Sequence, residues 1–230
     1  MADQTALIIG ASRGLGLGLA REYLDRGWRV VATVRGSAHT ALHDLADLAG
    51  GRLEIETVDI NKPAQTVALR DRLAGRRFDL LFVNAGVAND PGETIGEVSD
   101  ETFVRVMVTN ALSPMRMVEL FAPLVLTTGS VAVMSSGLGS VADNEAGGWE
   151  VYRASKAALN TLMRSFASRN AGASRCLLLI APGWVRTDMG GPGAGLDVGT
   201  SIRGVADAIA ARVGKQGLHY VNYQGKTVRW

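Results

Sequence analysis

Cysteine occurs once in the 230 residues, at Cys176. One thiol cannot close an internal disulfide, so a reducing cytoplasm is the expected setting. Cys176 lies in the apolar run Cys176-Leu-Leu-Leu-Ile180, which reads as a buried strand and not as the surroundings of a nucleophile. Histidine is nearly as scarce. His39 and His43 share helical spacing, but no cysteine or acidic motif accompanies them, so no metal site is expected. No run approaches the roughly 20 apolar residues of a membrane span. Asp3 and Gln4 precede only a short apolar run, unlike a secretory leader, and neither membrane nor export is expected. Lys and Arg total 24 against 22 Asp and Glu, with both signs scattered. Without a basic block, nucleic acid is not an expected partner.

Glycine is abundant, with 28 residues and no triplet period, and 47% of the chain is hydrophobic. The length suits one α/β domain with a substantial core. Short apolar runs alternate with segments of helical period. Strands are expected at 6–9, 29–33, 53–58, 79–83, 130–134, 175–180 and 218–221. Helices are expected at 15–26, 39–49, 65–74, 100–123, 149–170 and 201–213. This alternation predicts a doubly wound parallel sheet of about seven strands with helices on both faces, joined by right-handed crossovers. The runs Leu80-Leu-Phe-Val83 and Leu177-Leu-Leu-Ile180 lack period-2 alternation, as strands covered on both faces should. One domain over 1–230 is expected, with 186–200 as a mobile loop beside the substrate.

Gly10-Ala-Ser-Arg-Gly14-Leu-Gly16 joins the first strand to the first helix. Glycines there allow a tight turn and bring backbone N–H groups and the positive helix end close to a pyrophosphate. NAD sites place an acid at the end of the second strand to hold the ribose hydroxyls. Here Val30-Val-Ala-Thr-Val34-Arg35 carries none. Arg35, with Arg13 in the loop, supplies cations suited to a 2′-phosphate. NADP(H) is therefore expected over NAD(H).

In order and on the expected elements, the chain then carries Asp59, Asn84-Ala-Gly86, Asn110, Ser135-Ser136, Tyr152-Arg-Ala-Ser-Lys156 and Pro182-Gly183. With the glycine loop, this set resembles the short-chain dehydrogenase/reductase family along essentially the whole chain. Ser136-Gly-Leu-Gly-Ser140, Gly147-Gly148, the run Pro182 to Gly191 and a final Tyr-x-Gly-x-x-x-x-Trp ending at Trp230 resemble one subgroup more closely. That subgroup contains the bacterial C-factor signalling protein and sniffer-type carbonyl reductases. The resemblance implies a Rossmann-type fold and catalysis by Asn110, Ser136, Tyr152 and Lys156. It implies cofactor contacts from Gly10, Ser12, Arg13, Gly14, Leu15, Gly16, Arg35, Asp59, Ile60, Asn84, Ala85, Gly86, Tyr152, Lys156, Pro182, Gly183, Val185 and Thr187. It also implies a homodimer or homotetramer through the helices carrying Asn110 and Tyr152. Ile9 and Val83 depart from the pattern, standing where the family has threonine and often asparagine. Ser136 is preferred to Ser135 because it keeps the spacing Ser-x-x-Gly to Gly139. The gap from Ser136 to Tyr152 is longer than usual, and the residues from Asp143 to Trp149 are expected to form a loop over the pocket.

Reduction of a carbonyl needs hydride at carbon and a proton at oxygen, so the protein must supply a donor and hold the oxygen. Tyr152 and Lys156, four apart on a helix, share one face. A nearby ammonium is expected to lower the tyrosine pKa toward neutrality. Trp149 and Trp184 are candidate substrate-pocket residues, Trp184 equally readable as ordinary packing. An NADP(H)-dependent carbonyl reductase is the leading expectation. A dinucleotide-binding signalling protein with incidental turnover is the alternative. A sugar-nucleotide epimerase or dehydratase is third, since that group carries a larger substrate region after the position of Gly199.

Overall fold

The computed structural model describes residues 4–230. Asp3, read above as speaking against a leader, lies outside the described residues. The strands are β1 (Thr5–Ile9), β2 (Arg29–Val34), β3 (Leu53–Thr57), β4 (Phe78–Val83), β5 (Val125–Met134), β6 (Cys176–Ala181) and β7 (Gly217–Asn222). The helices are α1 (Gly14–Asp25), α2 (Ala41–Leu48), α3 (Pro63–Arg72), α4 (Asp100–Met107), α5 (Ser113–Phe121), α6 (Glu150–Arg169) and α7 (Val198–Ala210). All seven strands pair in parallel, in the order β3-β2-β1-β4-β5-β6-β7. This is the doubly wound sheet expected from the sequence.

Alternation along each strand builds two cores. Leu7, Ile9, Leu81 and Val83 face one side, where they pack with Met117, Phe121, Leu159 and Met163 of α5 and α6. Ala6, Ile8, Leu80 and Phe82 face the other, against Leu19 and Tyr23 of α1 and Ile202 and Val205 of α7. Both faces are apolar because both are covered, which explains the missing period of two. The strand order reverses beside β1, and the crevice at the carboxyl ends of β1 and β4 is where such sheets place ligands. Cys176 is buried, and burial pushes its thiol up to about 11.

Three elements differ from expectation by more than two residues. The segment 100–123 is not one helix: a wider π turn over Val108–Leu112 separates α4 from α5. A regular ladder would place the N–H of residue 114 on the Asn110 carbonyl, and Pro114 has none. Strand β5 begins at Val125, not Ser130, with a register irregularity opposite Phe78 to Leu80. Helix α7 begins at Val198, where Asp197 caps it by accepting from the Thr200 N–H at 2.8 Å. The loop expected over 186–200 therefore closes at residue 197.

Candidate active site

The turn after β1 is shaped by close approach. A Cβ on Gly10 would lie 2.9 Å from the Ala85 Cβ, and one on Gly16 would lie 2.0 Å from the Gly10 carbonyl oxygen. Only glycine allows α1 to start this near the strand end. The Thr33 hydroxyl accepts from the Gly10 N–H (2.9 Å), and Asn84 Nδ2 donates to the Gly10 carbonyl (2.8 Å). Arg13 precedes α1 and gives it no side-chain cap, and no acid stands in its first turn. The first N–H groups of α1 are thus left for an anion, a cradle that fits a dinucleotide pyrophosphate. Ser12 and Leu15 are half-buried in the same turn.

Asn84, Ala85 and Gly86 leave β4 side by side with this loop, Asn84 and Ala85 both donating to the Ile9 carbonyl. The π turn buries Asn110 completely. Its Oδ1 accepts from Val87 N (2.8 Å), while Nδ2 donates to the Val87 carbonyl (2.8 Å) and to Ser155 Oγ (3.0 Å). Asn110 thereby clamps the turn after β4 to α6. A Cβ on Gly86 would sit 3.3 Å from Asn110 Oδ1 and 3.6 Å from Lys156 Nζ, so glycine keeps that space clear.

Ser136 follows β5 in a short turn. Its hydroxyl accepts from Leu138 N (3.1 Å) and acts to lower the pKa of the Tyr152 phenol, whereas Ser135 Oγ donates to Asn160 Oδ1 (2.6 Å). Ser136, not Ser135, therefore faces Tyr152. The Ser-x-x-Gly spacing has a packing reason: a Cβ on Gly139 would lie 2.9 Å from the Lys156 Cβ.

Burial pushes the Tyr152 phenol up to about 12, and hydrogen bonding to Ser136 opposes the rise. Burial pushes the Lys156 ammonium down to about 8. The expected lowering of the tyrosine pKa by Lys156 does not occur. Lys156 Nζ donates to the Met134 carbonyl at 2.9 Å and stands 5.7 Å from the Tyr152 ring centroid. Burial thus disfavours the charged form of each group, raising the phenol and lowering the ammonium.

Trp149 stands before α6 in the left-handed region (φ 55°), after Gly147 and Gly148 in the same region. It is the only non-glycine there among the described residues. Its indole lies edge-on to Tyr152, ring centroids 5.7 Å apart. Trp184 instead turns outward, 62% exposed, with Nε1 donating to the Gly190 carbonyl (2.8 Å). No hydrogen bond or ring contact joins it to Ser136 or Tyr152.

Pro182 and Gly183 leave β6 toward buried Val185 and half-buried Thr187, whose methyl would be 3.6 Å from a Cβ on Gly14. The loop after β6 thus reaches the glycine turn, and Arg13 Nη1 pairs with Asp188 Oδ2 at 2.5 Å. Arg35 is exposed with no ion pair among the described residues. Asp59 caps its own turn, accepting from Asn61 N (3.0 Å) while its N–H donates to Gln65 Oε1, and Ile60 is buried beside it. The sequence reading missed Ser155, Asn160, Asp188 and Tyr220, which hold Asn110, Ser135, Arg13 and the Ser136 carbonyl respectively. Only residue type marked the first two, and nothing local marked the others. No cluster able to hold a metal, and no helix long and apolar enough to cross a membrane, occurs among the described residues.

Residues 4–193 match the family described as short chain dehydrogenase. A short-chain dehydrogenase/reductase from Burkholderia multivorans, solved with bound NADP, is 56% identical over 99% of this chain and 100% of its own, with a TM-score of 0.98. A carbonyl reductase from Pseudomonas aeruginosa PAO1 in complex with NADP is 38% identical over 100% of both chains, TM-score 0.91. The C-signal protein of Myxococcus xanthus is 37% identical over 66% of this chain and 92% of its own.

Proposed function

The chain belongs to the short chain dehydrogenase family, and on that premise we propose that Tyr152 is its proton donor and acceptor in NADP(H)-linked interconversion of a carbonyl and an alcohol. The protein is an oxidoreductase, and its cofactor is NADP(H). The observation that carries the catalytic reading is the buried Tyr152 ring with Lys156 Nζ 5.7 Å from its centroid.

NADPH, when bound, supplies hydride. The glycine loop and the open N-terminus of α1 suit its pyrophosphate, and Arg13 and Arg35 suit its 2′-phosphate. Ser12, Gly14, Leu15 and Gly16 would hold it from one side. Asp59, Ile60, Asn84, Ala85, Gly86, Pro182, Gly183, Val185 and Thr187 would complete the cleft. Tyr152, protonated at neutral pH, gives its proton to the substrate oxygen while Ser136 donates a hydrogen bond to that oxygen. At neutral pH Lys156 is charged. Its Nζ, 5.7 Å from the Tyr152 ring centroid, favours a nascent phenolate electrostatically. Asn110 holds the turn and helix that carry this set, and Trp149 forms the apolar wall beside Tyr152. Trp184, turned outward, would line the substrate entrance.

The likeness to C-signal supports a second reading, a signalling role beside turnover. Buried Cys176 suits a reducing cytoplasm. Exposed Phe103, Val104, Leu112 and Leu162, on α4, the π turn and α6, support a homo-oligomer through these elements. The loop 186–197 is assigned to the substrate side.

The test is oxidation of NADPH and NADH against a panel of aldehydes, ketones and quinones. Turnover with NADPH and its loss in Tyr152→Phe are expected. Tight NADPH binding without turnover would favour the signalling reading, and full activity in Tyr152→Phe would remove the assignment of Tyr152.

A further inference from the structure

The last strand reaches back to the serine turn. Tyr220 of β7 is 2% exposed, and its hydroxyl donates to the main-chain carbonyl of Ser136, 84 residues away. A buried phenol needs a partner for its O–H. Burial raises the Tyr220 pKa, which keeps it a donor. The same carbonyl also accepts from Gly139 N at 2.9 Å, so both of its lone pairs are engaged.

The chain beyond β7 backs this contact. It turns at 222–226, Asn222 N donating to the Lys226 carbonyl, and Val228 N returns to the Tyr220 carbonyl. Trp230 then packs against Tyr220 with its ring tilted by 57°, centroids 5.4 Å apart. Arg164 of α6 lies over that indole at 4.7 Å, and the Trp230 main-chain oxygen accepts from Ala142 N at 2.9 Å. Arg229 pairs with Asp143. The serine turn is therefore held on one side by α6, through Gly139 against Lys156 and Asn160. On the other side it is held by Tyr220 and Trp230.

From this arrangement we infer that Tyr220, backed by Trp230, is a positioning residue for Ser136, fixing the peptide that carries its hydroxyl. The inference rests on the reading of Ser136 as the group that holds the substrate oxygen. Small displacements of such a donor are costly because its bond forms only in the transition state. The Tyr220 hydroxyl, which also interacts with Ser135 and Asn160 behind the serine turn, acts on the reaction through the peptide that carries Ser136.

The test measures Tyr220→Phe, Ser136→Ala and the double variant, with kcat, KM and NADPH affinity for each. Tyr220→Phe keeps the ring and its tilted contact with Trp230 and removes only the hydroxyl. A roughly tenfold fall in kcat is expected, with NADPH affinity unchanged and no further loss on the Ser136→Ala background. Trp230→Ala should act the same way, and Trp230→Phe should restore most of the rate. These Trp230 variants, at a partly exposed position, supply the same cycle if Tyr220→Phe does not fold. An unchanged kcat in Tyr220→Phe, or losses that multiply in the double variant, overturns the inference while the role of Ser136 stands. Full activity in Ser136→Ala removes that role, and this inference with it.

Discussion

The indole of Trp149 meets the Tyr152 ring edge-on at 5.7 Å, and its backbone holds a left-handed conformation to do so. A bulky residue there is strained by about 1–3 kcal/mol, which clusters at functional sites. Trp149→Gly should therefore cost little stability, since relief of strain offsets the lost packing. It should raise KM for bulky carbonyls about tenfold and leave NADPH affinity alone. Steady-state kinetics beside a melting curve check this, and an unchanged KM counts against Trp149 as pocket wall.

Arg35 and Arg13 differ in what they already hold. Arg35 has no ion pair among the described residues, whereas solvent-exposed Arg13 bonds Asp188. Losing Arg35 for an acid removes charged hydrogen bonds and adds repulsion, about 3 kcal/mol in all. Arg35→Glu should thus raise KM for NADPH about 100-fold with little change for NADH. Asp188→Asn should shift Tm by less than about 2 °C, because exposed pairs contribute little. It should lower KM for NADPH severalfold by freeing Arg13.

What could be read from sequence follows from range. Strands such as Leu177–Ile180 announce themselves by apolar residues on both faces. Residues 125–129 did not, because Thr127, Thr128 and Gly129 read as a turn. The break at Pro114 was visible as a residue, yet the amphipathic pattern runs through it on both sides. Tyr152, Lys156 and Gly139 are legible because helical and turn spacings are local. Asp188 and Tyr220 are not, since they lie 175 and 84 residues from the groups they hold. The pKa expectation failed for a related reason: spacing gives the separation of Tyr152 and Lys156, but the fold sets their burial.

Leu162 is 41% exposed on α6, the helix that carries Tyr152 on its buried face. If copies pair there, Leu162→Glu places a charge in an apolar contact on both sides of the symmetry axis. Light scattering should show the assembly replaced by monomer, with the fold intact by circular dichroism. A variant of unchanged mass counts against this face.

The rate of reduction should depend on pH through Lys156 and not through Tyr152. Tyr152, pushed up to about 12, stays a proton donor across the neutral range. Lys156, pushed down to about 8, loses its charge as pH rises through that value. Above it kcat should fall about tenfold per pH unit. A profile flat to pH 10 would mean the ammonium is not needed.

Lys156 also bears on stability, with a sign opposite to its use in catalysis. Its folded pKa, about 8, lies below its ordinary 10.5, so the unfolded chain binds the proton more tightly. Stability from this group therefore rises with pH between about 8 and 10.5, and at pH 7 the buried charge costs its full amount, about 3 kcal/mol. Lys156→Met removes that cost but leaves the Met134 carbonyl without its donor, a loss of about 1 kcal/mol. The net gain of about 2 kcal/mol should raise Tm at pH 7 by roughly 5 °C while activity disappears. The gain should shrink toward pH 10, where the native lysine is already neutral. Melting curves at pH 7 and pH 10 separate this from a packing effect, which would be the same at both. An equal shift at the two values, or a lower Tm at pH 7, would show that the site does not hold its lysine at the expense of stability.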